Sequence, residues 1–379
     1  MTRKQVNTIN TTEKNSSLSR VTQTLTPLNH EPTMLLVLGV HRSGTSVTAR
    51  LLECLGAKNS DRLMEPSERN PRGYFEDIDV YNFNEKKLLP RLGHYWHSIQ
   101  FIDWSAINGA ERSELELQAV EIIQKNYTNP NSLFVLKEPR VSILMPFWIS
   151  VLQRAGFNIK VACSIRDPLS VARSMSKGEG LTISHAGMVY ANNWLQILAS
   201  IHGLPVGFIH FDDIFINAKQ HLINLARKLA IPLPQDFDEK TTAFSSSFLN
   251  DKYRHSSVSG DEIYEEKKMP IFAIELYKKL LIACNAQNIE ELKDITGEAR
   301  NLAVSLNPIF MDFDNAFIQN RLNDIELLEK NSQIDQLKKQ IASMEGSKIW
   351  RLAWPIRFID KRLKKFARKY RVTNRDEIS

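Results

Sequence analysis

Cysteine is scarce in this chain: Cys54, Cys163 and Cys284 are the only three in 379 residues, and none belongs to a Cys-x-x-Cys pair. That scarcity excludes a disulfide-stapled scaffold. Each cysteine lies in an apolar stretch and reads as a small core residue of a reducing compartment, not as a zinc ligand. Glycine and proline, at 15 each, are too few for a collagen-like or low-complexity chain. Long apolar runs are absent as well. Nothing approaches the roughly 20 residues of a membrane span, and the first 30 residues, rich in Ser, Thr and Asn, have no apolar segment of the kind that marks a secretory signal. The expected location is the cytoplasm.

What is present is ordinary globular usage, 42% hydrophobic and 24% charged, which suffices for one catalytic-size domain and an appendage. The net charge of +6 is unevenly placed. Residues 347–379 hold eleven Lys and Arg against three acids, a net +8, so the other 346 residues sum to −2. An anionic surface therefore meets the tail before the body, and a slightly acidic body is a poor nucleic-acid binder.

Residues 1–32 read as a flexible polar arm with too little apolar surface to offset the entropy of ordering. From Met34 onward, short apolar runs without period-2 alternation (Met34 to Leu38, Leu133 to Leu136, Ile159 to Ile165, Val206 to Phe211) alternate with helical spacing over 45–55, 111–126, 141–155, 168–202 and 216–230. This predicts an α/β fold over 33–310, a P-loop-type parallel sheet covered by helices on both faces, with ligands at the carboxyl ends of its strands. The stretch 240–265 reads as irregular and 266–310 as helical. A C-terminal extension follows over 311–346. Ile318, Leu322, Ile325 and Leu328, then after a break Ile334, Leu337, Ile341 and Met344, form a short imperfect coiled-coil seam, long enough for a helix hairpin or a homodimer contact.

The first strand runs into Gly39-Val-His-Arg-Ser-Gly-Thr-Ser46 and then an apolar helix. A strand, a tight loop and a helix start make a phosphate cradle: backbone N–H groups point inward and the positive end of the helix dipole faces the anion. A nucleotide P-loop carries Lys directly after its second Gly, whereas here Thr45 stands there and the cation is Arg42, two residues before Gly44. The displacement argues against a magnesium-dependent nucleotide triphosphatase. The strand 159–165 ends in a second cation, Arg166, whose planar fork suits a phosphate; Asp167 as cap and Pro168 at the first helical position start a helix that carries Ser174.

These residues resemble the sulfotransferases that use 3′-phosphoadenosine 5′-phosphosulfate (PAPS). The loop 39–46 is similar to their 5′-phosphosulfate loop, Pro-Lys-Ser-Gly-Thr-Thr or, in the protein-tyrosine branch, Pro-Arg-Ser-Gly-Thr-Thr, with His41 replacing Pro and Arg42 replacing Lys. The Arg-x7-Ser spacing of Arg166 and Ser174 resembles their 3′-phosphate motif. The resemblance covers about residues 34–260. It implies that Arg42, Ser43, Gly44, Thr45, Ser46, Arg166 and Ser174 bind PAPS as donor, that no metal is required, and that the acceptor is a hydroxyl.

Sulfuryl transfer asks for a base, two or three cations and a held geometry. The best candidate base is Glu76, in Asn70-Pro-Arg-Gly-Tyr-Phe-Glu76, which resembles the Asn-Pro-x-Gly-Tyr-Phe-Glu stretch of a bacterial branch of the family. Asp77, Asp79 and Glu68 stand behind it. The alternative is that Glu76 caps the helix beginning near Val80. Lys137, at the end of strand 133–136 and followed by Glu138-Pro139, resembles the family's catalytic Lys and would stabilise charge beside Arg42; alternatively it pairs with Glu138 or caps a helix. Arg140 suits either role. Tyr253-Arg254-His255 resembles a segment that closes over the cofactor. His94, Tyr95 and Trp96 read as core or as a sugar-facing cluster.

Beyond Pro355, apolar residues at spacings of 3 and 4 alternate with basic ones, and Trp350 and Trp354 precede them: a basic amphipathic helix suited to an anionic membrane surface. The run Ser347-Lys-Ile-Trp-Arg-Leu-Ala-Trp-Pro-Ile-Arg357 resembles the tails of bacterial glycosyltransferases that build surface polysaccharides. That resemblance implies a carbohydrate or glycolipid acceptor, a peripheral position on the inner membrane face, and a glycosyltransferase as a second candidate partner for 311–346. The rival readings are a P-loop kinase or phosphotransferase and a non-catalytic scaffold of a polysaccharide assembly complex.

Overall fold

The structure is a computed structural model and describes residues 31–67, 70, 73–129, 132–249 and 262–346. Most of the polar arm, Glu68, Tyr253-Arg254-His255 and the basic tail 347–379 lie outside the described residues. In chain order the elements are β1 (Thr33–Leu38), α1 (Thr45–Leu52), α2 (Ile78–Phe83), α3 (Leu89–Arg91), α4 (Gly109–Asn126), β2 (Leu133–Leu136), α5 (Met145–Arg154), β3 (Asn158–Ile165), α6 (Pro168–Glu179), α7 (Ile183–Ser200), β4 (Val206–His210), α8 (Phe211–Lys228), α9 (Phe237–Ala243), α10 (Glu262–Glu265), α11 (Ile271–Ala286) and α12 (Lys293–Gly346). They fall into two compact units, one within Met1–Lys86, Asn108–Arg166 and Ser200–Arg254, the other within Lys87–Ile107, Asp167–Ala199 and His255–Ser379.

The first unit holds a four-stranded, wholly parallel sheet in the order β2-β1-β3-β4. The chain steps from β1 to one neighbour and then crosses to the other, so the strand order reverses at β1, the place where such sheets bind ligands. The apolar strands lack alternation because both faces are buried. Leu35 and Val37 pack with Ala49 and Leu52 of α1, Leu222 and Leu225 of α8, and Phe237 of α9. Met34, Leu36 and Leu38, on the opposite face by alternation, are also fully buried. Each such leucine contributes about 1.5–3 kcal/mol of burial. Cys54, Cys163 and Cys284 are buried and none forms a disulfide.

Four helical expectations shift. The run 168–202 divides into α6 and α7, because Gly180 takes the left-handed conformation (φ 74°) that ends α6 and the Thr182 hydroxyl accepts from His185 N at 3.2 Å to start α7. The helix expected at 216–230 starts at Phe211, directly off β4, with a kink at Asn217. The first part of 240–265, expected irregular, is α9 followed by a wide helical turn over Phe244–Phe248. The break in the C-terminal seam is no chain reversal: α12 runs through it as one helix, so no hairpin forms within Lys293–Gly346.

In the second unit, side chains of α12 are fastened to the stretch 97–101. Asn307 Oδ1 accepts from Phe101 N (2.6 Å), and the buried Asp314 carboxylate accepts from Ile99 N (3.0 Å) and Gln100 N (3.2 Å). Phe313 and Phe317 pack on His185, and Phe317 also meets His97. His94 turns inward to Gln100 O (3.0 Å), so the 94–96 cluster is partly core, with Tyr95 exposed. Among the described residues no helix is long and apolar enough to cross a membrane.

Burial pushes His94 down to about 4, and burial, aided by His185 and Arg321, pushes His97 down to about 4. A histidine depressed in the folded state stabilises fully above its unfolded value near 6.5 and loses that contribution as pH falls toward 4. Burial holds Asp314 up at about 6, against its backbone hydrogen bonds, so its contribution has the opposite sign and is lost as pH rises through 6. Thermal unfolding followed by circular dichroism is therefore expected to show stability falling between pH 6.5 and 4, by about 3 kcal/mol from His94 alone. His94→Gln should flatten that slope and Asp314→Asn should steepen it.

Candidate active site

The loop after β1 is built from backbone constraints that the sequence only partly announces. Gly39 has no room for a side chain: a Cβ there would stand 2.7 Å from both Ser164 O and Ser43 Oγ. Gly44 has φ 89°, and a Cβ would stand 2.2 Å from the Phe211 ring. Arg42 between them is also left-handed (φ 69°), with its side chain exposed. The α1 helix follows with no side-chain cap, so the N–H groups of its first turn have no helical acceptor. Ser43 and Thr45 are buried, Ser46 is half-buried, and Ser43 Oγ has no hydrogen-bond partner among the described residues. These groups fit a phosphate- or sulfate-like anion.

Two clasps hold the loop to the sheet. Ser142 Oγ donates to Gly39 O while Gly39 N donates to Ser142 Oγ, both at 3.0 Å. Ser164 Oγ donates to Ser43 O at 3.1 Å and accepts from Thr48 Oγ1 at 3.1 Å. At the end of β3, Arg166 is buried; its Nη1 donates to Arg42 O at 3.1 Å and its guanidinium lies 4.5 Å from the centroid of Phe211. Phe211 thus separates Gly44 from the arginine and supports both. Neither Ser142 nor Phe211 carries a sequence signal. Ser174 is half-buried on α6, in the second unit.

The two acids of the Glu76-Asp77 dipeptide divide their tasks. Asp77 is the cap, accepting from Asp79 N (2.8 Å) and Val80 N (3.0 Å) at the start of α2. Asp79 pairs with Arg62. Glu76 is left to point inward, where Oε1 meets Lys137 Nζ at 2.5 Å, with both side chains buried. Lys137 Nζ also donates to Tyr74 O (3.1 Å), and Ser46 Oγ donates to the same oxygen (3.2 Å). The carboxylate–ammonium pair is therefore joined through one carbonyl to the first turn of α1. Phe75, between Tyr74 and Glu76, is left-handed at φ 54°, which turns the segment inward.

Lys137 does not pair with Glu138. Glu138 is fully buried, accepts from Asn84 Nδ2 (2.6 Å) and Arg140 Nη1 (2.6 Å), and caps the turn Pro139–Ser142 that delivers Ser142 to Gly39. Burial raises the Glu138 carboxyl above the ordinary range, with Arg140 opposing and Glu76 adding to the rise. Burial works against the Arg140 guanidinium, but Glu138 and Glu85 outweigh it and hold the group more firmly charged. Arg140 also contacts Glu85 at 2.5 Å and lies over Tyr81. Arg140 is thus fully engaged in a buried network one turn beyond Lys137. Among the described residues no cluster of three His, Cys, Asp or Glu side chains is placed to hold a metal ion.

No protein-family profile matches the chain, and no curated protein sequence matches it. Solved structures do. The sulfotransferase domain of the olefin synthase from Synechococcus PCC 7002 aligns with 67% of this chain and 95% of its own, at 12% identity and a TM-score of 0.40. The sulfotransferase domain of the curacin biosynthetic pathway aligns with 65% of this chain and 97% of its own, at 16% identity and a TM-score of 0.34. A sulfotransferase from Mycobacterium avium aligns with 66% of this chain and 77% of its own, at 15% identity and a TM-score of 0.45.

Arg140→Ala leaves the Glu138 carboxylate buried without its cation, and denaturant unfolding is expected to show a loss of about 3–5 kcal/mol. Gly44→Ala places a methyl into the Phe211 ring at a backbone angle that alanine resists. It should cost more than the roughly 1 kcal/mol of an ordinary left-handed glycine and shift Phe211 off Arg166, seen as altered amide exchange across residues 39–46.

Proposed function

We propose that this protein transfers a sulfuryl group from PAPS to a hydroxyl of a carbohydrate or glycolipid acceptor, in the assembly of a surface polysaccharide. The observation that carries the reading is the buried Glu76–Lys137 pair, tied through the Tyr74 carbonyl to the uncapped first turn of α1. It sets a carboxylate and an ammonium beside an anion cradle. PAPS, when bound, supplies an activated sulfuryl group whose leaving group is a phosphate.

The chain's residues have distinct tasks in this reading. The amides of Ser43, Gly44, Thr45 and Ser46, with the hydroxyls of Ser43 and Thr45, hold the 5′ anion by charge-assisted hydrogen bonds, while the Ser46 hydroxyl stays on the Tyr74 carbonyl. Arg166 takes the 3′-phosphate; the resemblance of its Arg-x7-Ser run to the family motif implies a further donor role for Ser174. Glu76 accepts the proton of the acceptor hydroxyl as it attacks. Lys137, and Arg42 from the loop, neutralise charge that builds on the transferring and leaving oxygens. The basic tail sits on the anionic inner face of a membrane and keeps the enzyme near a lipid-linked acceptor.

Glu76→Gln keeps the shape and removes the proton acceptor; turnover is expected to fall by about 10²–10⁴-fold while calorimetry still detects PAP, the desulfated product. Arg166→Ala should abolish PAP binding. Titration with magnesium ATP runs alongside. Preference for magnesium ATP over PAP would overturn the reading and move the chain to the phosphotransferases. Binding of PAP without turnover on any acceptor would favour a scaffold.

A further inference from the structure

Helix α12 presents two different faces. Taking about 100° per residue, Asp314, Phe317 and Arg321 share one stripe, and all three are engaged within the second unit: Asp314 on the 99–100 amides, Phe317 on His97 and His185, and Arg321 Nη2 on Glu179 O at 3.1 Å. Leu327, Ile334, Leu337 and Ile341 share a second stripe roughly opposite the first. These four are between 46% and 58% exposed. Leu322 and Leu328 lie off it. The second stripe starts six residues beyond Arg321, so the helix changes the face it offers where its fastening to the second unit ends.

The second stripe is a heptad seam, with Leu327, Ile334 and Ile341 at a and Lys330 and Leu337 at d. Its occupant follows from Lys330. In a parallel pair of copies, like positions meet, so Lys330 would face Lys330 inside the seam, and the two segments 347–379, each net +8, would leave from the same end. Both arrangements are repulsive. In an antiparallel pair an a residue meets a d residue. With the two-fold axis between residues 335 and 336, Ile334 meets Leu337 of the other copy twice, and Lys330 meets Ile341, laying its aliphatic stem on an apolar partner while its ammonium keeps its ion pair with Glu326 (2.6 Å). The basic segments then leave from opposite ends. The pattern is complementary to itself in one orientation only.

We infer that α12 forms an antiparallel two-stranded coiled coil with α12 of a second copy, centred between residues 335 and 336. Helices in proteins draw most of their stability from packing an apolar face, and the paired seam buries Leu327, Ile334, Leu337 and Ile341, which a single chain leaves exposed. The second stripe is thus a dimer contact, distinct from the face fastened to the second unit.

Light scattering and sedimentation velocity on the full-length protein test it. The expected mass is twice that of the 43.5 kDa chain at micromolar concentration, returning to the monomer mass in Leu337→Glu. Position 337 is exposed in the single chain, so circular dichroism and Tm at low concentration should stay unchanged. Orientation is read by oxidative cross-linking. Ile334→Cys chains mixed with Leu337→Cys chains should link to each other faster than either links to itself. A wild-type chain that stays monomeric, a Leu337→Glu protein that stays dimeric, or self-linked Ile334→Cys as the main product would each overturn the inference. The first outcome accompanied by vesicle binding that Leu337→Glu abolishes would assign the seam to a membrane instead.

Discussion

The parallel pairing of β1 on both its edges is the constraint from which the candidate site follows. Leu36 stands beside Leu136 in β2 and Leu38 beside Cys163 in β3. Lys137, the 39–44 loop and Arg166 therefore all leave the sheet at one edge. Both faces of β1 are buried, so a slip of one residue would exchange the side chains packed in its two layers, and the register is held by the fit of those layers. The hydrogen bonds of Ser142 with Gly39 and of Ser164 with Ser43 and Thr48 then fix the loop to the two flanking strand ends, within a few tenths of an ångström of ordinary bonding distance.

The buried charges around Lys137 are handled by pairing. Four charged groups lie close behind the strand ends, and each has an opposite partner: Glu76 with Lys137, and Glu138 with Arg140, which also reaches Glu85. Lys137 is directed to Tyr74 and Glu76, while its neighbour Glu138 caps the turn that brings Ser142 to the loop. Such pairs add little net stability over apolar packing, but removing one partner is costly because the remaining charge has no water to turn to. What the arrangement supplies is preorganisation: cations and carboxylates held in fixed orientations, as the proposed group transfer requires.

The second unit obeys a different logic. Its neutral histidines and the Asp314 carboxylate are set into an aromatic interior by α12, and the same helix then exposes a seam on its other side. One continuous helix can serve both ends because a 3.6-residue repeat lets its apolar stripe change azimuth without any break in the backbone.

Much of the framework was legible in the chain itself. The four apolar runs became the four strands with boundaries moved by a single residue, because an apolar stretch of that length without alternation has few other folded fates. Gly39 and Gly44 were recognisable because a tight loop between strand and helix calls for glycine, and Arg42 and Arg166 as the cations in that loop and at the end of β3. Local signals sufficed there. The roles of Glu76 and Asp77 were not separable in sequence, since adjacent carboxylates have equal claims to a helix cap until the left-handed Phe75 turns one inward. The partners of Lys137, 61 residues away at Glu76, and of Gly39, 103 residues away at Ser142, depend on strand register, which no local pattern encodes. Phe211 had no signal at all, because its place under Arg166 and against Gly44 exists only when β3 and β4 lie side by side. Composition and periodicity determined the layers and the edge where chemistry can occur; the tertiary structure decided which charges meet there, since pairing of buried ions is set by distances that only the packed sheet defines.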